Sequence, residues 1–197
     1  LDTNGLLGGF ETRGESFAAA AFFGTLDTDQ RFGALGARTE ASGAFAGLRA
    51  GTRLGDYELA AIFVYDDSEG ETVRSGADAA ALKSGEYDVG GWSADLSLSR
   101  RARFGRVSVT PTFGLTYSSL ERDAVRETGS PFALAVERAA EDLLRADASV
   151  ALSTSFEGRD GVRWTPSLSL GVRHGLEAGD AVARARFANS PEAGRFA

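Results

Sequence analysis

The side chains that could do chemistry are few and scattered. His174 is the single histidine and there is no Cys. A His–carboxylate nucleophile system or a multi-histidine metal site therefore has too little material. Disulfides, thiol catalysis and Cys–zinc sites are excluded, and the redox compartment stays open. Asp27, Asp29 and Gly33 begin like a calcium loop, but the rest of the EF-hand spacing fails. The carboxylate pairs Asp66/Asp67 and Glu141/Asp142 fall in or beside expected loops and read as solvated. No Gly-rich phosphate loop or serine-nucleophile motif occurs. The net charge of -7 argues against a nucleic-acid partner. The expectation is a protein with no catalytic residues, no metal and no cofactor.

The remaining charges are ordered. Arg49, Arg53, Asp95, Arg101, Arg145, Asp147, Arg163 and Arg173 sit in segments of period two, the signature of strands. From Ser42 to Leu54, Ala44, Ala46, Leu48, Ala50, Thr52 and Leu54 share one face. Arg49 and Arg53 lie on the other with glycines, where only Phe45 is out of character. Trp92, Ala94, Leu96 and Leu98 oppose Ser93, Asp95, Ser97 and Ser99. Val109, Pro111, Phe113, Leu115 and Tyr117 oppose Thr110, Thr112, Thr116 and Ser118. Leu144 to Leu152 and Trp164 to Val172 repeat the pattern, with Arg145, Asp147, Arg163 and Arg173 on their polar faces. In Tyr57–Tyr65 the second face is polar only at its ends. Weaker runs at Gly5–Thr12, Ser16–Leu26 and Val182–Ala188 bring the total to about nine strands.

No stretch has the roughly 20 continuous apolar residues of a membrane helix, and a barrel needs none. The apolar faces of the clear strands carry no charge across their middles. Tyr57, Tyr65, Trp92, Tyr117 and Trp164 stand near strand ends, as aromatic girdles at the two membrane interfaces do. Short turns at Thr12–Glu15, Leu54–Asp56, Ala102–Gly105 and Glu157–Gly161 alternate with longer links at Asp27–Glu40, Asp67–Glu86, Glu121–Asp142 and Gly175–Ala181. This sorting fits an antiparallel up-and-down transmembrane β-barrel, with Asp67–Glu86 and Glu121–Asp142 outside the cell. A soluble sandwich has less reason for it. The eight charges then line the pore. They read either as a salt-bridged filling or as a polar wall past which an unfolded or helical segment moves. Phe132 to Asp147 has strong helix formers. The pattern from Leu144 to Leu152 favours a returning hairpin at Phe132–Val136 and a strand from near Leu143.

Two regions resemble one family. Leu1 to Asp29 is similar to the early strands of autotransporter translocators, in which an acidic loop leads into a glycine-containing strand, a tight turn and a small-residue strand. Val109-Thr110-Pro111 with Phe113 and Tyr117, and more closely Trp164-Thr165-Pro166, resemble that family's Trp-Thr-Pro strands. Arg173-His174, Gly179-Asp180 and Ala185 to Pro191 resemble its late pattern. The resemblance implies an outer-membrane barrel that anchors and helps export an N-terminal passenger. Its implied partners are outer-membrane lipid, a passenger segment of the same polypeptide and, during insertion, the barrel-assembly machinery. Gly5–Thr12 matches the family's second strand and Val182–Ala188 its tenth, so residues 1–197 are expected to be part of a single translocator domain. Two rival readings are a passenger-free channel and an outer-membrane enzyme with His174 and carboxylates at the rim.

The alternation generates a direct test in a chain that has no native Cys. Single cysteines at Leu48, Leu96, Leu115, Val150 and Leu170 are expected to react with a lipid-soluble thiol reagent. Cysteines at Arg49, Asp95, Thr116, Asp147 and Ser169 are expected to react with a water-soluble one. Equal aqueous labelling of both sets would rule out the membrane placement.

Overall fold

The computed structural model describes residues 2–32, 36–75, 81–158, 160–178 and 184–189. Eight long strands run antiparallel in one sheet. They are β1 (Asp2–Arg13), β2 (Phe17–Phe32), β3 (Ala37–Leu54), β4 (Tyr57–Ser75), β6 (Tyr87–Arg100), β8 (Val107–Arg122), β11 (Ala139–Thr154) and β14 (Ser167–Ala178). Their spatial order is their chain order, β1-β2-β3-β4-β6-β8-β11-β14, a simple meander. Shorter strands extend or join them: β5 (Ala81–Ser84), β7 (Ala102–Phe104), β9 (Val125–Thr128), β10 (Leu134–Val136), β12 (Phe156–Glu157), β13 (Arg163–Trp164) and β15 (Ala185–Phe187).

One end of the sheet is closed by tight turns, and glycine makes two of them possible. Leu54 pairs with Tyr57 around Gly55-Asp56, and Phe104 pairs with Val107 around Gly105-Arg106. Both glycines have φ of 63°. Two-residue hairpins need positive φ at the first central residue, a conformation that costs L side chains energy.

The other end differs from the sequence expectation. Three of the four long links are largely strand. β2 runs to Phe32 and β3 starts at Ala37; β4 runs to Ser75, and β5 pairs with its end. Between Glu121 and Asp142 lie β9, β10 and the start of β11. Of the link Gly175–Ala181, the part to Ala178 belongs to β14, and the remainder lies outside the described residues. Hydrophobic alternation reports a strand only while its two faces meet different solvents. Beyond the apolar band both faces are polar, yet the backbone ladder continues because its bonds do not depend on side-chain polarity.

Smaller corrections follow the same logic. No helix forms in Phe132–Asp147; β11 begins at Ala139, before the expected Leu143, because Ala139–Leu143 pair with Ser118–Arg122. Tertiary pairing overrides helix propensity there. The strand expected from Arg163 begins at Ser167. Arg163 and Trp164 instead pair with Glu157 and Phe156 in a separate small hairpin. Of the ninth run, Val182 and Ala183 lie outside the described residues, and β15 pairs with β10 rather than extending the sheet beside β14. Asp66/Asp67 and Glu141/Asp142 lie on strands, not in loops. Consecutive strand residues point to opposite faces, so neither pair is a carboxylate dyad.

Burial is inverted relative to a soluble protein. The buried hydrophobic residues among those described are Leu82 and Ala133, while Phe10, Phe23, Leu48, Phe113, Leu170 and Val172 are exposed. On the opposite face two phenylalanines find seats on glycine. Phe22 lies over Gly47, and Phe45 lies over Gly24 on the neighbouring strand. The two rings are 6.5 Å apart. A Cβ at Gly47 would strike the Phe22 ring and sit 2.8 Å from the Phe63 carbonyl oxygen, so backbone as well as side chain must move.

Gly47→Leu is expected to destabilise the folded sheet by about 1–3 kcal/mol, the usual cost of overpacking. Urea unfolding in detergent or lipid measures it. Phe22→Ala is expected to restore only part of the loss, since the carbonyl remains.

Candidate functional site: a charged sheet face and an aromatic rim

Strand register decides which side chains share a face. The row across β3, β4, β6, β8 and β11 reads Arg49, Ile62, Asp95, Thr116, Arg145. The next row reads Gly51, Ala60, Ser97, Gly114, Asp147 and then Arg173 on β14. Five of the eight singled-out charges therefore stand in two adjacent rows on one face. Arg53 is one row further, opposite Glu58. Arg101 lies between β6 and β7, where its N–H donates to the Asp56 carbonyl, and Arg163 is on β13 away from the rows. Apart from Ile62, the positions between the charges in these rows are small residues.

The charged rows are loosely tied. Thr116 Oγ1 donates to Asp95 Oδ2 at 2.6 Å. The Asp147 carboxylate lies against Gly114, where any Cβ would clash with it. Among the described residues none of the eight charges forms an ion pair. The Nε of Arg145 is buried without a hydrogen-bond partner there. Such groups need water or an incoming polar partner, because desolvating an uncompensated charge costs several kcal/mol.

The opposite face carries the rim. Tyr65 pairs with Trp92 in register. The Trp92 ring is 4.9 Å from that of Tyr117 and 6.0 Å from that of Phe63. Tyr65, Trp92 and Tyr117 are thus gathered at the end away from the tight turns. Tyr57 stands at the other end, with the Arg100 guanidinium 5.3 Å above its ring. Trp164 is exposed on the small hairpin, off the main sheet. Between the rims this face carries Ala50, Ala61, Leu96, Leu115 and Ala146 in one row, ending at the exposed His174 on β14.

Beyond Tyr65, Trp92 and Tyr117 the same face turns acidic. Asp67, Glu69, Glu71, Asp88, Glu121, Asp123 and Asp142 follow there by strand parity or at the strand end. Some are engaged by bases further out: Glu71 with Lys83 at 2.8 Å, and Glu121 and Asp123 with Arg138. Glu71 raises the Lys83 ammonium above its ordinary range through this hydrogen-bonded contact. Arg38 on β3 holds the carboxyl of Asp29 on β2 below the usual carboxylate range. Asp29 is thereby occupied by arginine, and Gly33 lies outside the described residues. The apolar band is bounded sharply, by rings and then by charge.

Sequence reading missed the glycine-seated Phe22 and Phe45, although Phe45 was the one misfit on a polar face. It also missed the pairing of Arg74 with Glu127, which lies in stretches expected to be loop. The signal in the first case was the excess of glycine opposite an isolated aromatic. In the second there was none, since partner strands far apart in sequence meet only in the fold.

A meander of long strands, charge-free on one side between two aromatic rims and polar on the other, defines an outer-membrane β-barrel. The chain belongs to the autotransporter β-domain family, whose description "Autotransporter beta-domain" matches residues 1–197. It is thus a translocator of the bacterial outer membrane, the domain that anchors there and exports a linked passenger. Its fold is similar to that of the translocator domain of the autotransporter NalP from Neisseria meningitidis. That match has 18% identity and a TM-score of 0.72, covering 93% of this chain and 67% of that one. It is also similar to the β domain of the Bordetella autotransporter BrkA, at 14% identity and a TM-score of 0.60, covering 93% of this chain and 72% of that one. No curated protein sequence matches the chain.

The ring contacts of Trp92 generate a test. Trp92→Ala is expected to lower stability in lipid vesicles by about 1–3 kcal/mol, two aromatic contacts being lost. Phe132→Ala, at an exposed turn, is expected to leave urea unfolding within error. Equal losses would remove the special role of the rim.

Proposed function

We propose that the face carrying Arg49, Asp95, Arg145, Asp147 and Arg173 lines the lumen, with Arg53, Arg101 and Arg163 toward its tight-turn end, and that the passenger segment moves along it. On this reading the ring-bearing face meets lipid, with Tyr65, Trp92 and Tyr117 at the outer interface and Tyr57 and Trp164 at the inner one. The observation that carries the proposal is the absence of ion pairs at the eight charges among the described residues. A salt-bridged filling would satisfy the charges internally. Isolated charges, spaced mostly by Gly, Ala, Ser and Thr with Ile62 between Arg49 and Asp95, form a hydrated wall that offers hydrogen bonds to a transiting chain, and its rings Phe22 and Phe45 lie apart from the two charged rows. Family membership favours the translocator over a passenger-free channel. The domain itself makes no covalent change, residues 1–197 act as part of a single barrel domain, and insertion engages the barrel-assembly machinery.

Photo-crosslinking residues at Asp95, Thr116 and Asp147 of the full-length chain are expected to capture its own passenger segment during a stalled export. The same residue at Leu48, Leu96 or Leu170 is expected to capture lipid alone. Passenger adducts from the second set, or none from the first, would overturn the assignment.

A further inference from the structure

We propose that the outer ends of the strands form one inward-folded collar, held shut by a tie between Arg74 and Glu127, rather than a set of independent loops. The proposal rests on the barrel reading only for the direction called inward. Three neighbouring strand lines break at adjacent levels. β5 and β6 are separated by Gly85-Glu86, β8 and β9 by Asp123-Ala124, and β10 and β11 by Glu137-Arg138. The breaks are stitched to one another: Gly85 N–H donates to Arg126 O, Asp123 N–H to Asp88 O, and Arg122 Nη2 to Glu137 O. Above them the order β4-β5-β9-β10-β15 repeats the order of the sheet below, so the collar is an upper storey of the same wall.

Strand parity places the tie. β4 runs without a register shift against β3, so Arg74 is on the face of Ile62, the polar face. Arg74 is opposite Leu82, and Ser84 is opposite Glu127, so all four share that face. An inward side chain in an open cylinder would meet water. Here Leu82 is 0% exposed and Ser84 is 3% exposed. Arg74 Nε and Nη2 each reach Glu127 at 2.6 Å, crossing the strand that carries Leu82 and Ser84. Glu127 Oε2 also accepts the Leu134 N–H at 2.8 Å, so one carboxylate joins β4, β9 and β10. Ser84 Oγ accepts the Thr72 N–H at 2.7 Å, fixing β5 beneath the tie. A bidentate pair with one nearly buried partner is strongly felt when a single partner is removed, because the other charge is left uncompensated. The tie is therefore the point at which the collar opens.

Residues 1–197 contain no Cys, and the experiment is carried out in intact cells on the full-length chain, with any Cys outside this stretch replaced by Ser. A cysteine replacing Leu82 is expected to resist a membrane-impermeant maleimide while the tie is intact. In the Glu127→Gln background its labelling is expected to accelerate about tenfold or more, as for loss of one partner of a buried pair. The charge swap Arg74→Glu with Glu127→Arg is expected to restore part of the protection. Lys83→Cys, on the outward face, serves as the control that labels in every background. Ser84→Cys, nearly isosteric, repeats the measurement should Leu82→Cys disturb folding. The heat-modifiable gel shift reports the barrel separately from the collar. Labelling of both buried cysteines with the tie intact would overturn the closed collar. Protection that persists in Glu127→Gln would overturn the tie as its lock.

Discussion

Backbone hydrogen bonding in hydrocarbon is the constraint on which this structure depends. Without water, an unpaired N–H or C=O costs several kcal/mol, so strands cross only as members of a continuous hydrogen-bonded sheet. This explains why the meander contains no gap from β1 to β14. It also explains the inverted burial. The sheet needs no hydrophobic core to hold it, since the ladder is enforced by the solvent outside it. Exposed Leu48, Phe113 and Leu170 would be an aggregation hazard in water and are a requirement in lipid.

How far the sequence revealed this depends on where along a strand one looks. Between the rims, one face is apolar and the other polar, and the side chains alternate accordingly. There Leu96, Leu115 and Val150 were assigned to a face correctly from their spacing, and register puts Arg49, Asp95 and Arg145 in one row opposite them. Past Tyr65 both faces are polar, so Asp67 to Ser75 read as loop although they are paired. Arg163 and Trp164 were assigned to a long strand because Trp-Thr-Pro continues the alternation. Residues Thr165 and Pro166 instead lie outside the ladder, with Thr154 N–H donating to the Pro166 carbonyl. Proline has no donor of its own to extend a ladder, so the strand restarts at Ser167.

The polar face shows a second kind of order that composition only hinted at. Its glycines fall into two uses. Gly24 and Gly47 receive the rings of Phe45 and Phe22, which occupy the space a Cβ would take there. Gly114 makes room for the Asp147 carboxylate. In both cases a missing side chain on one strand positions a present one on the next. The relation runs between strands and can be read only when the register is known.

The length of β4 has a consequence for whatever leaves the pore. Tyr57 and Tyr65 lie at its two rims, and ten further residues, Asp66–Ser75, remain in the ladder. At about 3.3 Å per residue and a tilt near 40°, that extension raises the wall about 25 Å above the outer aromatic ring. The extension is about as tall as the hydrocarbon layer beneath it. On the proposed lumen reading, a segment in transit stays alongside this wall over its next seven or eight extended residues after it has passed the lipid. The same reading puts its release above the crowded phosphate level, with folding beginning where the wall ends.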